Sequence, residues 1–219
     1  MLTVYEVYEK AKGYPVNPLA VAVQTYHETG NYKHYRDWNI AGIKCTRSWT
    51  KRGRKCWSAK TMEYYGDGYV QITAGFRSYT SLDDFFADYS DLITRLYPKC
   101  RDNPDNVFGY FAGLHGKWAT SPVYFKSLVR LLFQLAPKLV ELWDPNPELE
   151  EAVRRGALEG WQEQEVRKYD LASFRQTSPK KEEPEEEVLD VEDDVPQGES
   201  MRDRVRKWLE DMNRFARFS

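Results

Sequence analysis

Nowhere in the 219 residues do eighteen apolar residues follow one another, and no apolar segment follows Met1. The expectation is therefore of neither a membrane-spanning helix nor a Sec-type leader. Cysteine is scarce. Cys45, Cys56 and Cys100 are too few, and odd in number, for a disulfide framework, which leaves either reduced thiols or a single pair bridging Cys45 and Cys56 around a basic loop. The three histidines at 27, 34 and 115 are scattered and the cysteine spacing matches no zinc ribbon, so neither metal site nor cofactor is expected. A formal net charge of -2 gives no global attraction to nucleic acid, although cations crowd the stretch from Lys44 to Lys60 and acids the stretch from Glu182 to Asp194. What abounds is aromatic: 15% of residues, with seven Trp and fifteen Tyr, enough for a large core or for a groove in which rings stack on sugars. At 41% hydrophobic, the chain can bury one sizeable core with a small appendage rather than two full domains.

The chain is organised around Val16 to Ile43. Asn17 is a good N-cap, Pro18 suits the first helical position, and Leu19, Ala22, Val23 and Tyr26 recur along one face. Gly30 ends this helix, which places Glu28 in the last turn of an otherwise apolar segment. There its charge meets the negative end of the helix dipole, and any burial disfavours ionisation further, so both effects raise its pKa, as a general acid requires at neutral pH.

Before it, Thr3 with Glu6 forms a capping box for a short helix ending near Gly13. After it, residues 31–58 read as a long loop in which Tyr and Trp alternate with Lys and Arg. No nucleic-acid fold surrounds that loop, and a glycan strand or anionic wall polymer fits it better than a nucleic acid. Two runs of strand formers flank Gly66-Asp67-Gly68, which predicts a β-hairpin with Thr61, Glu63 and Tyr65 on one face of its first strand. Ser81 with Asp84 opens a helix with Phe85, Phe86 and Tyr89 inward. A turn over 98–104 leads to a helix over about 105–115, and Ser121 with Pro122 opens another that runs to Pro137. A charged amphipathic helix is predicted from Asn146 to about Tyr169, an acidic linker over 174–199, and a final amphipathic helix over 200–219. That last helix is suited to a partner protein or to an anionic membrane surface.

Several segments together resemble one family. His27-Glu-Thr-Gly30 after an Ala- and Val-rich helix, then Asn39-Ile-Ala-Gly-Ile-Lys44, Thr61-Met-Glu-Tyr64, Phe76-Arg-Ser-Tyr79 and Trp118-Ala-Thr-Ser-Pro-Val-Tyr124, are similar to the motifs of the endo-β-N-acetylglucosaminidases, glycoside hydrolase family seventy-three. The chain departs from the pattern at Trp118, where the family has Tyr, and at Ser121, where it has Asp. The resemblance covers 1–137 and implies a mainly α, α+β lysozyme-like domain with a small hairpin; beyond it, the residues themselves predict a helical extension over 138–173. It implies catalysis by Glu28 as acid with Glu63 as second carboxylate, substrate contacts from Trp38, Asn39, Tyr64, Trp118 and Tyr124, and no metal. The implied partner is the glycan strand of peptidoglycan, cut after N-acetylglucosamine. The rivals are a muramidase or lytic transglycosylase on the same fold, and an inactive glycan-binding component of a phage or wall assembly. Without a leader, such an enzyme would reach the wall by lysis or by a non-Sec route.

Overall fold

A computed structural model describes residues 2–64, 68–140 and 143–171, apart from the side chains of Tyr64 and Tyr69. The predicted turn at Gly66-Asp67, the acidic linker and the final amphipathic helix lie outside the described residues. The elements in chain order are α1 (Val4–Ala11), α2 (Pro18–Glu28), α3 (Arg47–Lys51), β1 (Cys56–Tyr64), β2 (Tyr69–Arg77), α4 (Leu82–Leu96), α5 (Pro98–Arg101), α6 (Val107–Leu114), α7 (Tyr124–Leu139), α8 (Pro145–Arg154) and α9 (Gly160–Val166). Among the described residues the fold is mainly helical α+β with one two-stranded antiparallel sheet. No helix among the described residues is long and apolar enough to cross a membrane.

Helix α2 is the axis of the molecule. Asn17 Oδ1 accepts from Ala20 N at 2.8 Å and Pro18 occupies the first turn, so the helix starts where its sequence dictates. Every residue from Leu19 to Thr25 is buried, because α1, α6 and α7 pack around it and leave no solvent face until the last turn. Burying each Val or Leu here contributes about 1.5–3 kcal/mol, and an acidic substitution at Val21 would remove that and add an unpaired charge. Helix α1 carries the predicted capping box, with Glu6 N donating to Thr3 Oγ1 at 3.2 Å and Thr3 N donating to Glu6 Oε2 at 2.7 Å.

The hairpin pairs Cys56 with Arg77 at its base and Tyr64 with Tyr69 at its far end. It is fastened to the body at the base, where Cys45 N donates to Gly75 O at 2.8 Å and Arg77 N to Ile43 O at 2.9 Å. The Cys45–Cys56 alternative is the one realised: these two thiols form a disulfide and Cys100 is free and buried.

Four expectations change. The loop over 31–58 contains α3, capped by Thr46 and anchored by Trp49, which is 1% exposed. Ser121 and Pro122 form a turn instead of a cap, and α7 begins at Tyr124. That helix also passes through Pro137 to Leu139, because a proline so close to the C-terminus disturbs only the last turn. The single helix expected over 146–169 is two, α8 and α9, separated at Gly156, whose φ of 64° lies in the left-handed region that ends helices.

These last helices belong to the same body. Leu149, Ala152 and Val166 are fully buried, and the Tyr169 ring stacks on Phe133 with centroids 4.3 Å apart. Glu148 of α8 reaches the N-terminus of α6, accepting from Val107 N through one oxygen (2.5 Å) and from Trp143 Nε1 through the other (2.8 Å). Asn106, the cap of α6, donates to Glu148 O at 2.6 Å.

Candidate active site

Glu28 is the last residue of α2. Its side chain is half-buried, but protein atoms surround the carboxyl closely enough for burial to push its pKa from 4.5 to about 7. Two donors work in the opposite direction by favouring the carboxylate. Tyr124 OH donates to Glu28 Oε1 at 2.6 Å, and the indole N–H of Trp118 is directed at the same carboxyl. Burial prevails, so the group is held near the midpoint of its titration at neutral pH, with two donors facing its ionised form.

The floor beneath this carboxyl is polar and sealed. Gln24, one turn before Glu28 on α2, accepts from Tyr89 OH at 2.5 Å, and Tyr89 OH lies 3.1 Å from Tyr110 OH. All three side chains are fully buried. His27 lies edge-on to the Tyr124 ring at 5.4 Å, with both ring nitrogens shielded and without a partner among the described residues. Burial lowers its pKa from 6.5 to about 4, so at neutral pH it is an uncharged wall beside the acid.

The exit from α2 is unusually constrained. Gly30, Asn31 and Tyr32 all have left-handed φ values, of 55°, 66° and 57°, and Asp37 and Trp38 repeat the conformation at 50° and 56°. For a bulky Tyr this geometry costs about 1–3 kcal/mol and persists only where contacts enforce it. Here Tyr32 N donates to Thr29 Oγ1 at 2.9 Å, and Tyr32 OH lies 3.0 Å from Thr25 Oγ1 and 3.2 Å from Ala22 O. The chain is thus bent back along the helix immediately after the acid, and Trp38 is presented outward, 37% exposed.

The expected substrate contacts divide. Trp38 is open. Trp118 is half-buried, packed between Tyr89 and Tyr97 with centroids 5.6 and 5.5 Å away. Tyr64 lies on β1, with its side chain outside the described residues. Asn39 is buried: it is 3% exposed, donates from Nδ2 to Ile43 O and Arg77 O, both at 2.9 Å, and accepts from Ile43 N at 2.8 Å. Its amide has no hydrogen left for a sugar, and it clamps the 39–43 turn to the end of β2. Tyr124 is buried as well, 3% exposed, with its hydroxyl bonded to the Glu28 carboxyl.

Glu63 lies on β1, opposite Val70, with its side chain 26% exposed. Its partner is Lys44, whose Nζ is 2.5 Å from Glu63 Oε1. That contact, like the Gln24–Tyr89–Tyr110 chain, was missed by sequence reasoning. The spacing of Gln24 and Glu28 on one helix face carried a signal, whereas nothing local links Lys44 to a strand nineteen residues on. No cluster of acids, His or Cys among the described residues could hold a metal ion.

Among the described residues, a helical body carrying one hairpin, with a protonatable carboxyl at the end of a buried helix, has the lysozyme-like α+β architecture. Residues 5–136 match the family model Glucosaminidase, described as mannosyl-glycoprotein endo-beta-N-acetylglucosaminidase, and the chain belongs to that family. Among curated proteins, it is 33% identical over 100 residues to the peptidoglycan hydrolase FlgJ of Vibrio cholerae, covering 44% of this chain and 29% of that protein. It is 28% identical over 131 residues to the same-named protein of Vibrio parahaemolyticus, covering 55% and 41%. The chain therefore spans less than half the length of these relatives. Among solved structures, a peptidoglycan hydrolase mutant from Sphingomonas sp. A1 superposes with a TM-score of 0.52 at 26% identity, covering 59% of this chain and 88% of that one.

Proposed function

We propose that the chain is a peptidoglycan hydrolase that cleaves the β-1,4 bond after N-acetylglucosamine, with Glu28 as general acid. The observation that carries this reading is the Glu28 carboxyl itself, raised to about 7 by burial and bonded by Tyr124 at the end of a buried helix. Glu28 protonates the glycosidic oxygen, the bond to the anomeric carbon breaks, and positive charge develops on the ring as an oxocarbenium-like transition state. The carboxylate left behind is stabilised by Tyr124 OH and the Trp118 indole. Trp118 thus keeps a donor where the family pattern has a phenol, but an indole N–H accepts nothing, so it stabilises the carboxylate and takes no proton.

The second step is either attack by a water that Glu63 activates, with inversion, or attack by the substrate's own acetamido oxygen. Lys44 holds Glu63 in place for the first route. Carboxyl groups about 6.5–9.5 Å apart in the substrate complex would favour inversion. Trp38 and Tyr64 are assigned to sugar contacts. Digestion of purified peptidoglycan followed by mass spectrometry tests the specificity. Muropeptides with N-acetylglucosamine at the reducing end are expected, and none with the Glu28→Gln variant. Anhydro-muramic products would assign the chain to the transglycosylases, and an undiminished rate in Glu28→Gln would remove Glu28 from the chemistry.

A further inference from the structure

Between Cys45 and Cys56 lie Arg47, Lys51, Arg52, Arg54 and Lys55 and not one acidic residue, in a chain whose overall formal charge is -2. A charged face that serves only solubility mixes signs; this one does not. It is also built to hold its shape. The disulfide closes it, Cys45 N is bonded to Gly75 O at 2.8 Å, and Ser78 N to Lys55 O at 3.0 Å. The Trp49 ring fills its underside and donates from Nε1 to Lys55 O at 2.9 Å. Arg54 and Arg77 lie over that ring, 4.4 and 4.8 Å from its centroid, and each is neutralised by an acid of α4, Asp84 and Asp88 respectively, at 2.6 Å. Arg47, Lys51, Arg52 and Lys55 are exposed and have no acidic partner among the described residues. These four cations, with Arg52 itself 5.5 Å from the Trp49 ring centroid, are thus mounted on a rigid base, which lowers the ordering cost of binding an anion.

We propose that this disulfide-closed loop binds the carboxylates of the stem peptides borne by the glycan strand, and so selects peptidoglycan whose peptides carry free acid groups. The proposal rests on the glycan-cleaving reading above and names a feature of its substrate. The choice of anion follows from continuity. Lys44, the residue before Cys45, bonds Glu63, so the loop springs directly from the segment that holds the second candidate carboxylate. A glycan lying there brings its own peptides to the loop, and no second polymer is needed. Exposed cations acting on exposed carboxylates are screened by salt, which gives the interaction a signature.

The test uses the full chain as Glu28→Gln, so that binding is read without turnover. It is co-sedimented with purified sacculi, with sacculi whose carboxyls have been converted to neutral methylamides, and, as a separate arm, titrated with duplex DNA. Binding to native sacculi should weaken as salt rises. It should fall about tenfold on the amidated material, and by the same factor when Arg47→Gln, Lys51→Gln, Arg52→Gln and Lys55→Gln are combined. The charge-conserving pair Arg47→Lys and Arg52→Lys should bind as before, and an unchanged melting temperature in each variant separates lost binding from lost fold. Equal binding to native and amidated sacculi overturns the proposal, as does tighter binding to DNA than to native sacculi. If carboxylate-dependent binding holds while the unsubstituted chain releases no new reducing ends, the hydrolase reading fails and the binding surface stands.

Discussion

Replacing Glu28 with Gln should abolish cleavage and make the protein more stable at alkaline pH. A carboxyl whose pKa in the folded state is about 7, against 4.5 for the ordinary group, favours folding only while it is protonated. Its contribution is fully present below about 4.5 and is lost progressively as pH rises through about 7. A difference of that size corresponds to about 3 kcal/mol, reduced to the extent that water reaches the half-buried side chain. Gln has the same shape, stays neutral and still accepts from Tyr124, so it avoids the loss. For a chain of this length the gain at pH 8.5 is worth about 5–10 °C in melting temperature. Differential scanning calorimetry of both proteins from pH 4 to 8.5 reads it directly. The curves should meet at pH 4 and diverge as the pH rises. Parallel curves across that range would mean that Glu28 is not desolvated and would remove the physical basis for its role as an acid.

Tyr124→Phe removes a donor that favours the carboxylate, so the alkaline limb of the pH–rate profile should move upward, and kcat on sacculi should fall about tenfold or more. His27 has the opposite sense: its folded-state pKa of about 4 lies below the ordinary 6.5, so it contributes stability above 6.5 that is lost as pH falls through about 4. His27→Leu should therefore flatten the acid side of the stability curve, seen as a smaller drop in melting temperature between pH 6.5 and 4.5. Asn39→Ala breaks three buried hydrogen bonds and should cost about 2–3 kcal/mol in urea unfolding, whereas a residue that only touched sugar would leave the midpoint unchanged. Glu148→Ala strands Val107 N–H and the Trp143 indole and should cost about 2–4 kcal/mol by the same measurement.

The features legible in the sequence were those written in neighbouring letters. Thr3, Asn17 and Ser81 all open helices, because each cap and the amide it accepts from, at Glu6, Ala20 and Asp84, are three residues apart and need nothing from the rest of the chain. The hairpin followed from two strand-forming runs around Gly-Asp-Gly, and the place of Glu28 in the last turn of α2 from the left-handed Gly30 two residues on. Distant contacts were not legible. Tyr124 meets Glu28 across ninety-six residues, and nothing in the letters around either residue announces that hydrogen bond. The Asn39 clamp is hidden for a related reason: its third partner, Arg77 O, is thirty-eight residues away. Ser121 and Pro122 had the right letters for a cap, but the chain was already turning there.

The family match ends at residue 136, yet the first amide of α6 is bonded by Glu148, twelve residues beyond that limit. Kinship and architecture therefore draw the border in different places. Anyone who trims this protein to its recognisable homologous portion, or grafts that portion into a chimera, leaves a helix start open to water inside what looks like a complete unit. The usable module runs at least through Leu171, because the stretch beyond the family match is what closes the inherited part.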